Sequence, residues 1–286
     1  MRPHRTGRLL GVAALALVLA GTSSACRPDA SDAPAPDPAH PAPAAEHAPA
    51  GDADHVEGGS GPPVERAENV IVIIGDGMGI AHRELIRLAT VGHEGQLVMN
   101  QLRFQGWTQT EPADPDRAVT DSAAAATALA TGVRTRTGVI GIDPDGTAVP
   151  TLLERAAQAD KATGVVTTAE VTDATPAAFA AHVPDRDRHE EIGRQYLEET
   201  GVQVILGGGA DLWHTGDGPT LAERAEELGY HQVSEGDGLA AAGEELDAAD
   251  GGRLLGLFAP GPMFTDLEHG EPRYDPPVPL PVMARS

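Results

Sequence analysis

The stretch Asn69-Val70-Ile71-Val72-Ile73-Ile74-Gly75-Asp76-Gly77-Met78-Gly79 decides the fold. Its five consecutive β-branched residues predict a strand that is covered on both faces, as strands of a parallel sheet are. Further strand-like runs lie at 164–167, 202–206 and 254–258. Helix-like segments alternate with them, at 80–90, 123–131, 152–159, 187–199 and 221–228. This alternation predicts an α/β fold: a doubly wound, mostly parallel sheet with helices on both faces.

The residues before this fold have a different composition. Residues 1–26 combine arginines, a short apolar run and small residues, as a bacterial export signal does. The single cysteine, Cys26, follows directly and resembles the lipid-carrying residue of a lipoprotein, with plain secretion after Ala25 as the alternative. Residues 27–68 are rich in proline, alanine and acidic residues, which predicts a disordered linker. We therefore expect an exported protein, either lipid-anchored to the membrane or else periplasmic or secreted, whose folded domain is 69–286.

The charge balance limits the possible partners. The chain has 20 Lys and Arg against 43 Asp and Glu, a formal net charge of −23. This balance argues against nucleic acid as a partner, because binding to its phosphate backbone needs clustered basic residues. It does not argue against a small phosphate ester, which one arginine and a metal ion can hold.

Asp76 is the first candidate for a metal ligand. It follows the apolar run directly, and α/β folds place their ligands at the carboxyl ends of parallel strands. Glycines on both sides allow a tight turn and a close approach to the backbone. The alternative is that Asp76 only caps the helix that follows.

Ser122 is the candidate nucleophile. It stands at the start of an alanine-rich helix, where free backbone amides and the helix dipole favour a negative group such as a phosphate or an alkoxide. No histidine lies nearby in sequence as a base, which points to activation of the hydroxyl by a metal. The alternative is that Asp121 or Ser122 is only a helix cap.

The segment 173–188 offers oxygen ligands and a phosphate-binding group. Asp173 and Thr175 carry hard oxygens that suit magnesium or its bound waters. Arg186 offers a planar fork for two phosphate oxygens, although Arg188 is an equally charged competitor. Alternatively, Asp173 begins a helix whose first residue is Pro176.

Taken together and in order, these segments resemble alkaline phosphatase. The resemblance rests on 70–79, 120–127, 173–178, 206–210 and 254–258. It implies a phosphomonoester hydrolase that uses Zn²⁺ and Mg²⁺ and acts on small phosphate monoesters, releasing inorganic phosphate. It also implies a homodimer as the expected assembly.

The resemblance also implies a role for each residue. Asp76 bridges zinc and magnesium. Ser122, a zinc ligand as well, attacks phosphorus and forms a phosphoserine. Thr175 binds magnesium, and Asp173 holds the waters of that ion. Arg186 holds the phosphate oxygens.

Members of the family continue well beyond the length of this chain, and their second half supplies the remaining metal ligands. The sequence therefore leads us to expect that the domain 69–286 is truncated at its C-terminus. One alternative function is a catalytically impaired lipoprotein that binds phosphate or metal. Another is a short enzyme that a second polypeptide completes.

Overall fold

The structure is a computed structural model that describes residues 67–214, 218–248, 251–266, 272–274 and 276–285. The predicted signal, Cys26 and all but the last two residues of the predicted linker lie outside these ranges. Among the described residues, no helix has both the length and the apolar character that a membrane crossing requires.

The described helices and strands alternate along much of the chain. The helices are α1 (Ile80–Val91), α2 (Ser122–Thr131), α3 (Leu152–Gln158), α4 (Ala174–Ala177), α5 (His189–Gln195), α6 (Ala210–Trp213), α7 (Leu221–Glu227), α8 (Gly236–Ala248) and α9 (Leu280–Met283). The strands are β1 (Gly164–Glu170), β2 (Val204–Gly208), β3 (Tyr230–Val233), β4 (Arg253–Leu257), β5 (Phe264–Asp266) and β6 (Pro272–Tyr274).

Four strands form one parallel sheet in the order β1-β2-β4-β3. Val165 of β1 lies opposite Ile205 of β2, and Ile205 lies opposite Leu255 of β4. Strands β5 and β6 form a separate antiparallel pair. The main sheet confirms the predicted α/β class, including the strands predicted at 164–167, 202–206 and 254–258.

Both faces of the sheet are covered, as predicted. Ile205 and Leu255 belong to a core cluster that also contains side chains from α2, α3 and α5. Their chain neighbours Leu206 and Leu254 point the other way, into a second cluster with residues of α8 and α9. Because successive side chains of a strand point to opposite faces, these apolar runs require helices on both sides.

The strand predicted at 70–74 is wrong for this structure. These residues form no strand, and Ile73 is 86% exposed. A parallel strand with two apolar faces needs a hydrogen-bonded neighbour and a layer on each side. No described strand pairs with this run, so its side chains remain uncovered.

The helix predicted over 187–199 is confirmed with shifted bounds. It begins at His189 because Arg188 has a non-helical backbone, with φ −81° and ψ 57°. Beyond Gln195 the chain continues as a π-helical turn, Tyr196–Thr200, which ends at Gly201 in the left-handed conformation with φ 64°. Glycine fits there because it has no side-chain penalty at positive φ.

Glu154 links three parts of the domain. Its carboxylate accepts a hydrogen bond from the Thr151 amide at 2.7 Å and pairs with Nε2 of His182 at 2.9 Å. Nδ1 of His182 lies 2.7 Å from the Gly141 carbonyl oxygen. Burial opposes ionisation of Glu154, but the bonds from Thr151 and His182 outweigh it, so the pKa of Glu154 is lowered from 4.5.

This shift predicts a loss of stability in acid. Because the pKa of Glu154 is depressed in the folded state, its carboxylate stabilises the fold above about pH 4.5, and that contribution disappears as the pH falls through the folded-state pKa. The measurement is urea unfolding at pH 6 and at pH 3.5. Between these two pH values, the free energy of unfolding should fall less for Glu154→Gln than for the wild type. Glu226→Gln, at an exposed position of α7, is the control and should behave like the wild type. An unchanged pH dependence in Glu154→Gln would contradict this assignment.

Candidate functional site

The turn after β1 presents Asp173, and the first turn of α4 presents Thr175. Asp173 occupies the N-cap position of α4 in an extended conformation, with φ −65° and ψ 161°, but its side chain makes no capping bond. Its carboxylate is therefore available to other elements. Since α4 begins at Ala174, Pro176 is the third helical residue and not the first.

Helix α2 places Ser122 at its first position, as the sequence predicts. Asp121 caps the helix: its Oδ1 accepts a hydrogen bond from the Ala124 amide at 3.0 Å. Ala123 and Ala126 are buried in the core behind the serine. Ser122 itself is half-buried, and its hydroxyl makes no hydrogen bond to any residue in the described part of the chain. The helix start therefore presents an uncommitted hydroxyl beside free backbone amides.

Arg186 joins the two segments. One terminal nitrogen lies 2.9 Å from Oδ1 of Asp173, and the other lies 3.4 Å from Oδ2 of Asp121. Burial opposes the charge of the guanidinium, but the two carboxylates outweigh it and raise the pKa of Arg186. A guanidinium has five N–H donors, and these contacts use two of them. Arg186 can therefore hold both carboxylates and still bind an oxyanion.

Asp76 reaches the same region. Its Oδ2 accepts a hydrogen bond from the Thr175 hydroxyl at 2.7 Å, although the two residues are 99 positions apart. Asp76 does not cap α1, because the N-cap position belongs to Gly79 and carries no side-chain bond. The structure thus links Asp76 to Thr175 directly. Asp121, the chain neighbour of Ser122, is linked to Asp173 through Arg186.

Arg188 is not part of this group. Its guanidinium pairs with Glu191 at 3.0 Å, and its side chain is 52% exposed, compared with 28% for Arg186. Of the two arginines, Arg186 contacts Asp121 and Asp173, whereas Arg188 contacts neither.

The residues present fit a hard cation better than zinc. The Asp76 carboxylate and the Thr175 hydroxyl put two oxygens 2.7 Å apart, and magnesium prefers oxygen ligands. Zinc sites use about four ligands, usually with histidine or cysteine among them. Within the described ranges, no cluster of three or more His, Cys, Asp or Glu residues could hold a metal ion.

Asp121 belongs to this group of contacts, and the sequence indicated it only as a possible helix cap. It caps α2 with one oxygen, while the other accepts from the Gly138 amide at 2.9 Å and contacts Arg186. In the sequence, its position next to Ser122 is only a weak signal for this role. The contact with Arg186 joins residues 65 positions apart, and a local pattern does not reveal such a contact.

Substitution of Asp121 separates its two contacts, the cap of α2 and the contact with Arg186. Asp121→Ala removes the cap and should lower the free energy of unfolding by about 1–2 kcal/mol, as loss of an N-cap does. Asp121→Asn keeps a capping oxygen but loses the charge that faces Arg186, so its stability should fall less. Chemical denaturation of both variants checks the order, and equal losses would mean that the cap does not dominate.

Comparison with known proteins places the chain among alkaline phosphatases. The profile of the alkaline phosphatase family matches residues 67–280. Over 221 residues the chain is 41% identical to streptomycin-6-phosphate phosphatase of Streptomyces griseus. This match covers 68% of this chain and 48% of that protein. It is 36% identical over 209 residues to alkaline phosphatase 4 of Bacillus subtilis, covering 70% and 44% of the two chains.

Solved structures give the same result. The cold-active alkaline phosphatase of the psychrophile Shewanella sp. is 34% identical, with a TM-score of 0.56 over 66% of this chain and 45% of that chain. Alkaline phosphatase from the Antarctic bacterium TAB5 is 27% identical, with a TM-score of 0.53 over 63% and 51% of the two chains. The chain spans about half the length of the curated relatives that it matches.

Proposed function

Since the chain belongs to the alkaline phosphatase family, we propose that it carries the nucleophile and the phosphate-binding arginine of a phosphomonoester hydrolase. The observation that carries this proposal is the placement of Arg186 between Asp121, which precedes Ser122, and Asp173. A phosphoryl group bound by Arg186 lies toward the start of α2, where the backbone amides also attract negative charge.

The proposed reaction has two steps. Oγ of Ser122 loses its proton and attacks phosphorus, the bond from phosphorus to the ester oxygen breaks, and the alcohol leaves with a proton. Water then attacks the phosphoserine, which releases inorganic phosphate and restores the serine. Arg186 holds the non-bridging oxygens in both steps and offsets their charge, since phosphoryl transfer depends mainly on positioning and electrostatic stabilisation.

We propose magnesium as a cofactor, with Asp76 and Thr175 as its ligands and Asp173 near its bound waters. Magnesium is bound in the solved structure of a mutant of the TAB5 phosphatase. For zinc, we propose Asp76 and Ser122 as the contributions of this chain, but two oxygens do not make a zinc site. Bound metal ions supply Lewis-acid stabilisation of phosphoryl oxygens and lower the pKa of a hydroxyl.

Trapping the phosphoenzyme tests the proposal. The test protein is a chimera, here called the chimeric phosphatase. In it, residues 67–280 replace the matched region of the Streptomyces griseus protein within one polypeptide, so that every part of the fold is present. With zinc and magnesium, it should hydrolyse aryl phosphates at alkaline pH. After acid quenching, mass spectrometry should find the phosphate on Ser122. Turnover with the phosphate on another residue, or with no trapped phosphate, would contradict the proposal. The parent phosphatase is the control.

We further propose that small phosphate monoesters are the substrates, that a homodimer is the possible assembly, and that nucleic acid is not a partner. The net charge of −23 supports the last point.

We also propose that the chain is exported and carries a lipid on Cys26, with 27–68 as its tether. The charged and apolar pattern of residues 1–26 supports this proposal. In cells fed a labelled fatty acid, the wild-type chain should become labelled and fractionate with membranes. Cys26→Ala should lose both the label and the membrane association. An unlabelled wild-type chain in the medium would instead identify plain secretion.

A further inference from the structure

The carboxylate of Asp173 projects from a short turn between β1 and α4. The Asp173 amide donates to the Glu170 carbonyl oxygen at 2.9 Å, which closes this turn. The Asp173 side chain makes no capping bond and lies 2.9 Å from a terminal nitrogen of Arg186. The position of this carboxylate therefore depends on how firmly the turn is anchored on its other side.

Tyr196 anchors the turn from behind. Its hydroxyl donates to the Val171 carbonyl oxygen at 3.0 Å, and neither residue has any exposed surface. The backbone of Tyr196 is itself fixed near the sheet, because its carbonyl oxygen accepts from the amide of Val202, just before β2, at 2.9 Å. Water does not reach this buried site, so loss of the hydroxyl removes a donor that nothing replaces.

His189 supports the next residue of the same turn. Its Nδ1 lies 3.1 Å from Oγ1 of Thr172 and 3.3 Å from the Thr172 carbonyl oxygen. His189 and Tyr196 are seven positions apart, which places them on one side of the helical stretch that begins with α5. This side of the stretch therefore contacts both residues that precede Asp173.

The charge of Asp173 acts on the Tyr196 hydroxyl. Burial, and then the negative charge of Asp173, raise the pKa of Tyr196 well above its ordinary value of 10. The hydroxyl therefore keeps its proton, and remains a hydrogen-bond donor, at the alkaline pH of the proposed phosphatase assay.

We propose that Tyr196 is a positioning residue for the phosphate site. By anchoring the turn 170–173, it keeps the Asp173 carboxylate where that group holds Arg186. This role rests on the proposed function, because it matters for turnover only if Arg186 binds the phosphoryl group. It also goes beyond a contribution to stability, which any buried tyrosine hydroxyl makes when it bonds a carbonyl oxygen.

Tyr230 is the matched control for Tyr196. Its hydroxyl donates to the Val202 carbonyl oxygen at 2.6 Å, and the residue is 4% exposed. Val202 precedes β2 at the amino end of the sheet, whereas Val171 follows β1 at the carboxyl end. Tyr196→Phe and Tyr230→Phe thus remove the same kind of bond at opposite ends of the sheet, and only the first bond adjoins the site.

The kinetic test compares these two variants in the chimeric phosphatase. Tyr196→Phe should lower kcat/KM by about 10-fold, because displacement of a positioned group by about 1 Å costs up to about 100-fold in rate. Tyr230→Phe should stay within about twofold of the unsubstituted chimera. The temperature of thermal unfolding should fall by a similar amount in both variants, since each loses one buried hydrogen bond.

A double substitution shows whether the effect of Tyr196 runs through Asp173. In the Asp173→Ala background, Tyr196→Phe should cause no further loss of kcat/KM, because the carboxylate that Tyr196 positions is gone. An undiminished 10-fold loss in that background would overturn the proposal. Equal losses of kcat/KM in Tyr196→Phe and Tyr230→Phe would also overturn it.

Amide hydrogen exchange in the full chain gives a readout that does not depend on turnover. Exchange of the Asp173 amide, followed by NMR, should quicken by about fivefold or more in Tyr196→Phe and stay unchanged in Tyr230→Phe. Unchanged exchange in Tyr196→Phe would overturn the proposal. A chimera that forms no phosphate on Ser122 would contradict the proposed function, while quickened exchange in the full chain would still support the anchoring of the turn by Tyr196.

Discussion

Ser122→Ala in the chimeric phosphatase should abolish the trapped phosphoenzyme and lower turnover by about 10,000-fold or more, as loss of a catalytic nucleophile does. The substitution leaves the binding groups in place. Asp121 still caps α2, and Arg186 still contacts Asp121 and Asp173. Inhibition by inorganic phosphate should therefore change far less than turnover, and kinetic assays with inhibition by phosphate check both quantities.

Thr120→Ala is the control for this experiment. Thr120 carries the nearest hydroxyl in sequence, but it donates to the Asp121 carbonyl oxygen at 2.9 Å and is not free. Its loss should leave the phosphoenzyme and most of the turnover. If Ser122→Ala kept an acid-stable phosphoenzyme while Thr120→Ala lost it, the nucleophile would be Thr120.

The sheet could be predicted from the sequence because its strands carry the pattern of burial. Val204–Gly208 and Arg253–Leu257 are apolar on both faces, and the structure buries both faces. Strand β3 was missed because it is short and polar: His231 and Gln232 are exposed at the edge of the sheet. Helix α8 was missed because its glycines at 236 and 238 weaken the helical pattern.

The error at 70–74 has a different cause. The pattern indicates a preference for burial on two faces, but a pattern within one segment does not show which segment supplies the cover. Here no described strand pairs with the run.

The sequence marks the residues of the candidate site one by one, but not the contacts that join them. Local signals marked Asp76, Ser122, Asp173, Thr175 and Arg186. Contacts between distant residues could not be read from the sequence, since the bond from Thr175 to Asp76 spans 99 positions and that from Arg186 to Asp121 spans 65. The choice between Arg186 and Arg188 is of the same kind, because both side chains have the same chemistry and only tertiary contacts separate them.

Arg186→Ala should lower kcat/KM of the chimeric phosphatase by about 1,000-fold, which corresponds to the 3–4 kcal/mol that one preorganised transition-state contact contributes. Two physical effects add. The phosphoryl oxygens lose their bidentate donor, and Asp121 and Asp173 lose the cation that now lies between them. The two uncompensated carboxylates then repel the phosphate dianion, so the inhibition constant for inorganic phosphate should rise as well.

Arg188→Ala and Arg186→Lys separate this account from a general effect of positive charge. Arg188 pairs with Glu191 at the surface, so its loss should leave kcat/KM within about threefold of the wild type, as exposed ion pairs contribute little. Arg186→Lys keeps a charge between Asp121 and Asp173 but has no planar fork, so its activity should fall between those of the wild type and Arg186→Ala. Equal losses in Arg186→Ala and Arg188→Ala would show that the site uses the summed charge of the loop. A loss of kcat/KM that occurs only at Arg186 and is partly restored by lysine has a more specific explanation. It requires one guanidinium, held by two carboxylates, at the start of the helix that carries Ser122.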